Sequence, residues 1–284
     1  MKDVRLLALD VDGTLVRQGD EITPRTLEAL ARAHRAGIRV ALATGRRWRR
    51  ARTVARTLEL PVPVVCLGGA LVKEEAGRTV ERSPFVPELL ASVVAALHAA
   101  GSSAIAHLEG GEESGPDFVV EHRRAWNGWT SRYVARNQAW TAWSRDLAGE
   151  ARDDVLVVGA FGPRAELEGA AAALAGAAFA PRVNVTLTPL PTDGGPAGFY
   201  LEVQPSQVSK WHGLRRLAAH LGVAEAAICA VGDERNDLSM LRAAGLGVAM
   251  GNAPVEVKAA ARLVIGRHDE DALADLVDRL LAAR

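Results

Sequence analysis

The sequence predicts an α/β fold with a parallel sheet, into which an α+β domain is inserted. At both ends of the 284-residue chain, short apolar runs alternate with segments whose apolar residues recur at helical spacing. Strands buried on both faces are nearly continuous apolar runs, and their alternation with helices indicates parallel strands and right-handed crossovers. The middle of the chain does not show this alternation of strands and helices. We therefore expect one domain from residues 1–83 and 197–284, and an inserted domain from residues 84–196.

The elements follow from these patterns in chain order. The first predicted helix has Thr23 as a suitable N-cap and ends at Gly37. The first segment gives strand 4–12, helix 22–37, strand 38–45, helix 46–60 and strand 62–72. The middle gives short strands 117–122, 153–162 and 182–190, and helix 165–178. The last segment gives helix 210–222, strand 226–233, helix 235–245, strand 246–251, helix 253–261, strand 261–266 and helix 269–284.

Composition narrows the class of protein. Hydrophobic residues make up 49% of the chain and the formal net charge is zero, which indicates a globular protein and argues against a general nucleic-acid binder. Cys66 and Cys229 lie far apart in apolar runs, so we predict neither a disulfide nor a zinc site. No apolar run is long enough for a signal peptide or a membrane span. We expect a soluble cytoplasmic protein without nucleic-acid or membrane partners.

Two carboxylates, Asp10 and Asp12, follow the first predicted strand in the stretch LDVDGTL. Ligands of parallel α/β sheets bind beyond the carboxyl ends of the strands, and Gly13 allows a sharp turn there. Neighbouring carboxylates repel each other unless a cation or a shared proton intervenes, and Mg²⁺ suits oxygen ligands. One carboxylate could be a nucleophile and the other a proton carrier. A solvated turn is the alternative for this stretch alone.

Two further stretches place polar groups near the same edge of the predicted sheet. Thr44 and Gly45 close the second strand, where a hydroxyl and backbone N–H groups could hold a phosphate. Thr44 could instead be a helix N-cap. Lys210 begins a helix whose dipole disfavours a cation, so we expect an anion beside it. The alternative is a solvated surface lysine.

A fourth stretch, GDERND, ends another predicted strand with Asp233 and adds Asn236 and Asp237. So many acidic groups beside Asp10 and Asp12 would repel strongly without a metal. Alone, the stretch could be a solvated turn. Polar groups at all of these points of one sheet together favour a single phosphate site.

The stretches LDVDGTL, ATGR, SK and GDERND match, in order and spacing, the motifs of the haloacid dehalogenase superfamily. A further stretch, VAMGNAPVEVKAAA, is typical of its Cof-type branch. The chain therefore resembles a Cof-type phosphatase over residues 4–83 and 197–284. The resemblance implies a Rossmann-like core, an inserted α+β cap that determines substrate specificity, and Mg²⁺ as the metal. The cap matches by position and size only.

The resemblance also implies residue roles. Asp10 would attack phosphorus and form an aspartyl-phosphate, and Asp12 would protonate the leaving oxygen and then activate water. Mg²⁺ would be held by Asp10, the backbone carbonyl of Asp12 and Asp233, with Asp237 as a direct or nearby partner. The residues expected to contact the phosphate are Gly13, Thr44, Gly45, Arg46, Lys210 and Asn236.

The sequence departs from the branch at three points, of which the missing glycine in the late stretch DEDALADLV is expected to have no catalytic consequence. Gly68-Gly69 stands where Asn-Gly is common, and Trp211 stands where a glycine often follows the lysine, so its ring either faces the cleft or packs. The arginine run GRRWRRAR is interpreted as a solvated face, apart from Arg46. A group in the predicted cap could close over a substrate, namely His122, Arg123, Arg124, Trp126 and Asn127.

The sequence thus predicts a Mg²⁺-dependent phosphomonoester hydrolase. Its substrate would be a small phosphorylated metabolite, such as a sugar phosphate, and it would act as a monomer or a homodimer. A phosphotransferase or phosphomutase on the same scaffold is one alternative. A catalytically silent binding module is the other, which the presence of every motif residue disfavours.

Overall fold

The computed structural model describes residues 3–111, 115–122, 126–190 and 197–284. The strands are β1 (Leu6–Leu9), β2 (Arg39–Ala43), β3 (Val64–Cys66), β4 (Leu71–Lys73), β5 (Thr79–Arg82), β6 (Ile105–His107), β7 (Phe118–Glu121), β8 (Thr141–Ser144), β9 (Val157–Gly162), β10 (Val183–Pro189), β11 (Phe199–Pro205), β12 (Ile228–Gly232), β13 (Leu246–Ala249) and β14 (Leu263–Val264). The helices are α1 (Pro24–Arg35), α2 (Trp48–Thr57), α3 (Pro87–Ala99), α4 (Gly128–Arg136), α5 (Arg164–Ala175), α6 (Lys210–Leu221), α7 (Leu238–Ala243), α8 (Val255–Ala260) and α9 (Ala272–Ala282). Within these described ranges, every helix is too short or too polar to span a membrane.

The chain divides into two compact units, and the first comprises Met1–Arg82 and Ser209–Arg284. Its sheet has the strand order β14-β13-β12-β1-β2-β3-β4-β5. The pairs from β14 to β3 are parallel, with Leu6 of β1 beside both Ile228 and Arg39. The predicted α/β fold with a parallel sheet is confirmed. β1 is central, so the residues after it lie between the ends of β2 and β12.

Different helices cover the two faces of this sheet. Leu6 and Ala8 share a hydrophobic cluster with Leu214 of α6 and with Met240 of α7. Side chains alternate along a strand, so Leu7 and Leu9 point to the other face, where α1 contacts β2 and α9. All four residues of β1 are fully buried. Burial on both faces explains why this strand is a continuous apolar run.

The predicted strand 62–72 is wrong in one respect, because it is two antiparallel strands, β3 and β4, joined by a tight reversal. Gly68 and Gly69 turn the chain with φ angles of 61° and 109°. A Cβ on Gly69 would lie 1.9 Å from the backbone oxygen of Ser209, the residue before α6. The glycine pair therefore lets the reversal pack directly against the start of α6.

Gly69→Ala is expected to destabilise the protein more than an alanine at an uncrowded glycine of similar φ. Gly37 is the matched control, because its φ is +83° and no described atom lies within 4 Å of a Cβ built there. Left-handed backbone alone costs about 1–2 kcal/mol for an L-residue, and the clash with Ser209 should add at least about 2 kcal/mol. Urea unfolding of both variants measures this difference. Equal losses would show that the reversal moves freely away from α6.

The second unit is Ser83–Val208, with the strand order β10-β11-β9-β6-β7-β8 and mostly antiparallel pairs. Its core cluster is formed mainly by α3, α5 and the sheet face against them. This unit extends twelve residues beyond the predicted boundary at 196, from 197 to 208. The difference arises because β11 pairs along its length with β10 and with β9.

Candidate active site

Asp10, the residue after β1, is part of a buried ion-pair network. Its Oδ1 accepts a 2.6 Å hydrogen bond from Nζ of Lys210, the first residue of α6. Lys210 donates a second 2.6 Å bond to Oδ1 of Asp237, and its side chain is only 1% exposed. The Ser209 hydroxyl caps α6 by accepting from the backbone N–H of His212. The anion expected beside Lys210 is therefore a pair of carboxylates.

Asp237 fixes the turn that follows β12. Its Oδ2 accepts hydrogen bonds from the backbone N–H groups of Asp233 (3.0 Å) and Glu234 (2.9 Å). A Cβ on Gly232 would lie 2.4 Å from Cγ of Asp237, so the strand must end in glycine for this carboxylate to fit. Both oxygens of Asp237 accept hydrogen bonds from the protein, and the residue holds Lys210 and the turn in place together.

Asp233 lies beside this network with protein donors on both oxygens. Thr14 Oγ1 donates to its Oδ1 and Asn252 Nδ2 donates to its Oδ2, both at 2.9 Å. Asn252 also donates to the carbonyl of Gly13 at 2.9 Å. Gly13 has a φ of +77°, and a Cβ there would lie 2.4 Å from Oδ2 of Asp233. The turn after β1 and the turn after β12 are thus in direct contact.

The electrostatics of the cluster fit a divalent cation. Burial raises the pKa of Asp10 well above its ordinary value although Lys210 opposes the shift, and burial raises the pKa of Asp233 to about 6. Burial disfavours the charged form of Lys210, but Asp10 and Asp237 outweigh it and raise the pKa of Lys210. Carboxylate oxygens of Asp10, Asp233 and Asp237 lie within 4.8 Å of one another. Three acids facing one ammonium form an all-oxygen donor set with excess negative charge, which suits a hard divalent cation.

The predicted phosphate contacts at the end of β2 lie near the Asp10 network, because β1 and β2 are adjacent and parallel. Thr44 is fully buried, and its Oγ1 accepts a 3.1 Å hydrogen bond from the backbone N–H of Arg46. Gly45 is exposed, and a Cβ there would meet no described atom within 4 Å. Asn236 is exposed in the turn after β12.

Asp12 does not join the buried cluster. Its side chain is 63% exposed and forms a two-bond ion pair with the guanidinium of Arg46. Arg46, which was expected to contact phosphate, also donates to Asp20. Sequence reasoning missed Asp20, which lies in no recognised motif. It also missed Thr14 and Asn252, although both lie within the quoted stretches LDVDGTL and VAMGNAPVEVKAAA.

Of the two alternatives for Trp211, the structure shows packing: its partly buried ring lies against the cluster that contains Leu6 and Leu214. In the second unit, Asn127 caps α4 by accepting from the backbone N–H of Thr130. The His122 ring stacks on Trp143, which also stacks on Trp126. The remaining predicted cap residues, Arg123 and Arg124, lie outside the described residues.

The sequence model of the haloacid dehalogenase-like hydrolase family matches residues 7–277. Pyridoxal phosphate phosphatase YbhA of Escherichia coli (strain K12) is 29% identical to this chain, over 96% of this chain and 97% of the relative. The 5-amino-6-(5-phospho-D-ribitylamino)uracil phosphatase YitU of Bacillus subtilis (strain 168) is also 29% identical, over 95% and 94% of the two chains. A haloacid dehalogenase-like hydrolase structure from Bacteroides thetaiotaomicron has a TM-score of 0.76 at 25% identity, over 97% of this chain and 99% of that one.

The acids gathered at the carboxyl ends of parallel strands occupy the position where α/β sheets bind their ligands. The chain belongs to the haloacid dehalogenase-like hydrolase family, whose sequence model spans both of its units. The resemblance predicted from the motifs is confirmed, and both relatives, which match over nearly their full length, are named phosphatases.

Proposed function

We propose that this hydrolase cleaves phosphate monoesters of small metabolites, with Mg²⁺ as its metal. The buried network of Asp10, Lys210 and Asp237 carries the proposal, because it joins a candidate nucleophile to a fixed positive charge at a strand end. The E. coli relative is named for pyridoxal phosphate and the B. subtilis relative for a phosphoribitylamino-uracil, both small phosphorylated metabolites. We extend this class to a sugar phosphate or a related ester.

In the proposed reaction, an Oδ atom of Asp10 forms a bond to phosphorus while the bond from phosphorus to the leaving oxygen breaks. Asp12 gives its proton to that oxygen, so an alcohol and an aspartyl-phosphate result. Asp12 then takes a proton from the water that cleaves the aspartyl-phosphate, which releases inorganic phosphate and restores both side chains. Lys210 orients Asp10 and places positive charge near the phosphoryl oxygens, where most of the catalytic effect arises. The Thr44 hydroxyl lies near the same strand end.

The residues that would hold Mg²⁺ are Asp10, Asp233 and the backbone carbonyl of Asp12, and the ion would supply positive charge to the phosphoryl group. Thr14 and Asn252 orient Asp233 by their hydrogen bonds to its two oxygens. Such outer partners strengthen metal binding by fixing the ligating carboxylate.

The purified protein is expected to hydrolyse p-nitrophenyl phosphate, and at least one ester of a broad phosphometabolite panel, when Mg²⁺ is present. EDTA should abolish turnover, and added Mg²⁺ should restore it. Mg²⁺ should also raise the melting temperature, because saturation at 100 times the dissociation constant stabilises a protein by about 2.7 kcal/mol. No turnover on the whole panel would refute the phosphatase proposal. Full activity in EDTA would refute the metal, and phosphate transfer to added alcohols in preference to water would indicate a phosphotransferase.

A further inference from the structure

Arg46 connects two carboxylates that lie outside the buried network. Its Nε donates to Oδ2 of Asp12 at 2.9 Å, and its Nη2 donates to Oδ1 of Asp12 at 2.6 Å. The same Nη2 donates to Oδ1 of Asp20 at 2.5 Å. We refer to Asp12, Arg46 and Asp20 as the arginine clamp. The Arg46 side chain is 15% exposed, whereas the Asp12 side chain that it holds is 63% exposed.

The opposite charges in the arginine clamp stabilise each other's ionised forms. The hydrogen bond from Arg46 lowers the pKa of Asp20. Burial disfavours the Arg46 charge, but the hydrogen bonds to Asp12 and Asp20 outweigh burial and raise the pKa of Arg46. Arg50 adds a weaker contact, with its Nη2 3.8 Å from Oδ2 of Asp20. Asp20 therefore anchors the guanidinium from the connection between β1 and α1, the same segment that carries Asp10, Asp12 and Thr14.

A two-bond contact between a guanidinium and a carboxylate fixes the plane of the carboxylate as well as its position. Without such a contact, an exposed aspartate samples several rotamers, and proton transfer needs a donor within hydrogen-bond reach of the leaving oxygen. Asp12 remains largely accessible inside the clamp, so a substrate can still reach it. The planar guanidinium of Arg46 holds the Asp12 carboxylate in one orientation, and Asp20 holds the guanidinium in place.

We propose that Arg46 and Asp20 are positioning residues for Asp12, with Asp20 fixing the guanidinium and the guanidinium fixing the proton-transferring carboxylate. This inference rests on the proposed phosphatase function. It differs from the sequence expectation that Arg46 contacts the phosphate. Nη1 of Arg46 is buried without a hydrogen-bond partner among the described residues, so direct substrate contact is the competing role that the experiment must separate.

The test compares two substrates of nearly the same shape, phenyl phosphate and p-nitrophenyl phosphate, in one enzyme preparation. p-Nitrophenolate is a good leaving group and departs readily without a proton, whereas the departure of phenolate is faster when an acid protonates its oxygen. The parameter kcat/KM reports the step in which the bond between phosphorus and this oxygen breaks. Asp20→Asn should lower kcat/KM about tenfold for phenyl phosphate and less than about twofold for p-nitrophenyl phosphate. Asparagine tolerates the positive φ of 63° at this position. Arg46→Lys should show the same selectivity with a loss of about 100-fold for phenyl phosphate.

Two controls distinguish a specific effect on Asp12 from the general effect of removing a carboxylate. Asp278→Asn breaks a surface pair with Arg32 in the same unit, at 2.7 Å, and should leave both rates unchanged. In an Asp12→Asn background, Asp20→Asn should have no further selective effect, because the residue that it positions is gone. Equal losses on both substrates would overturn the inference in favour of phosphate binding or structural damage. Unchanged rates in Asp20→Asn would also overturn it, whereas an inactive wild type would refute the proposed function instead.

Discussion

Asp10→Asn is expected to lower phosphate ester hydrolysis by about 10⁴-fold or more, without lowering the free energy of unfolding. The amide keeps an oxygen that can accept from Lys210 but is a poor nucleophile. It also removes one of the two carboxylates that contact the Lys210 ammonium. Because burial already disfavours the ionised Asp10, losing its charge should leave the metal-free protein at least as stable as the wild type.

Steady-state kinetics and urea unfolding in EDTA measure the two halves of this prediction. Asp278→Asn again serves as the control, since it removes one carboxylate charge from the surface of the same unit. Activity within 100-fold of the wild type would exclude Asp10 as the nucleophile. A marked loss of stability would show instead that the carboxylate holds the first unit together.

Lys210→Met should have the largest effect on stability. The methionine removes the ammonium that contacts both Asp10 and Asp237 while keeping a side chain of similar length. Breaking a buried ion pair by removing one partner costs about 3–5 kcal/mol, because the other charge is left uncompensated. Hydrolysis should also fall below detection, since Asp10 loses the group that orients it.

Urea unfolding in EDTA measures the loss, and Lys258→Met on α8 is the control, expected within about 0.5 kcal/mol of the wild type. The double variant Lys210→Met with Asp237→Asn should recover part of the loss, because it removes one of the uncompensated charges. A single variant within about 1 kcal/mol of the wild type would show that the carboxylates take up protons at little cost.

The sequence predicts the first unit well because the strands and motifs of this unit can be identified from short, continuous stretches of sequence. Apolar runs identify strands that are buried on both faces, and parallel topology places Asp10, Asp233 and the end of β2 at one edge. The prediction is poorer in the second unit, where α3 (Pro87–Ala99) is given no predicted bounds, although His98 is assigned to a helical pattern. Its buried residues, which include Leu89, Leu90, Val93 and Val94, lie in a segment so apolar that no polar face marks a helix.

Contacts between distant parts of the chain explain the other misses. β11 belongs to the second sheet because it pairs with β9 and β10. The amino-acid composition of a segment does not predict which strands it pairs with. Asp20 acquires its role only because its loop approaches Arg46, as Asn252 acquires its role by reaching Asp233. Motifs therefore identify the charged groups of the site, but the residues that orient them depend on the folded structure.

The position of β1 in the sheet has a consequence for synthesis on the ribosome. β2 follows β1 closely and can pair with it early, whereas Leu6 must wait for Ile228 to complete its other edge. Ser83–Val208 is continuous in sequence and emerges in between, so it can form its own core first. During that interval the nascent chain carries an open, apolar strand edge, the feature that chaperones bind and that aggregation exploits.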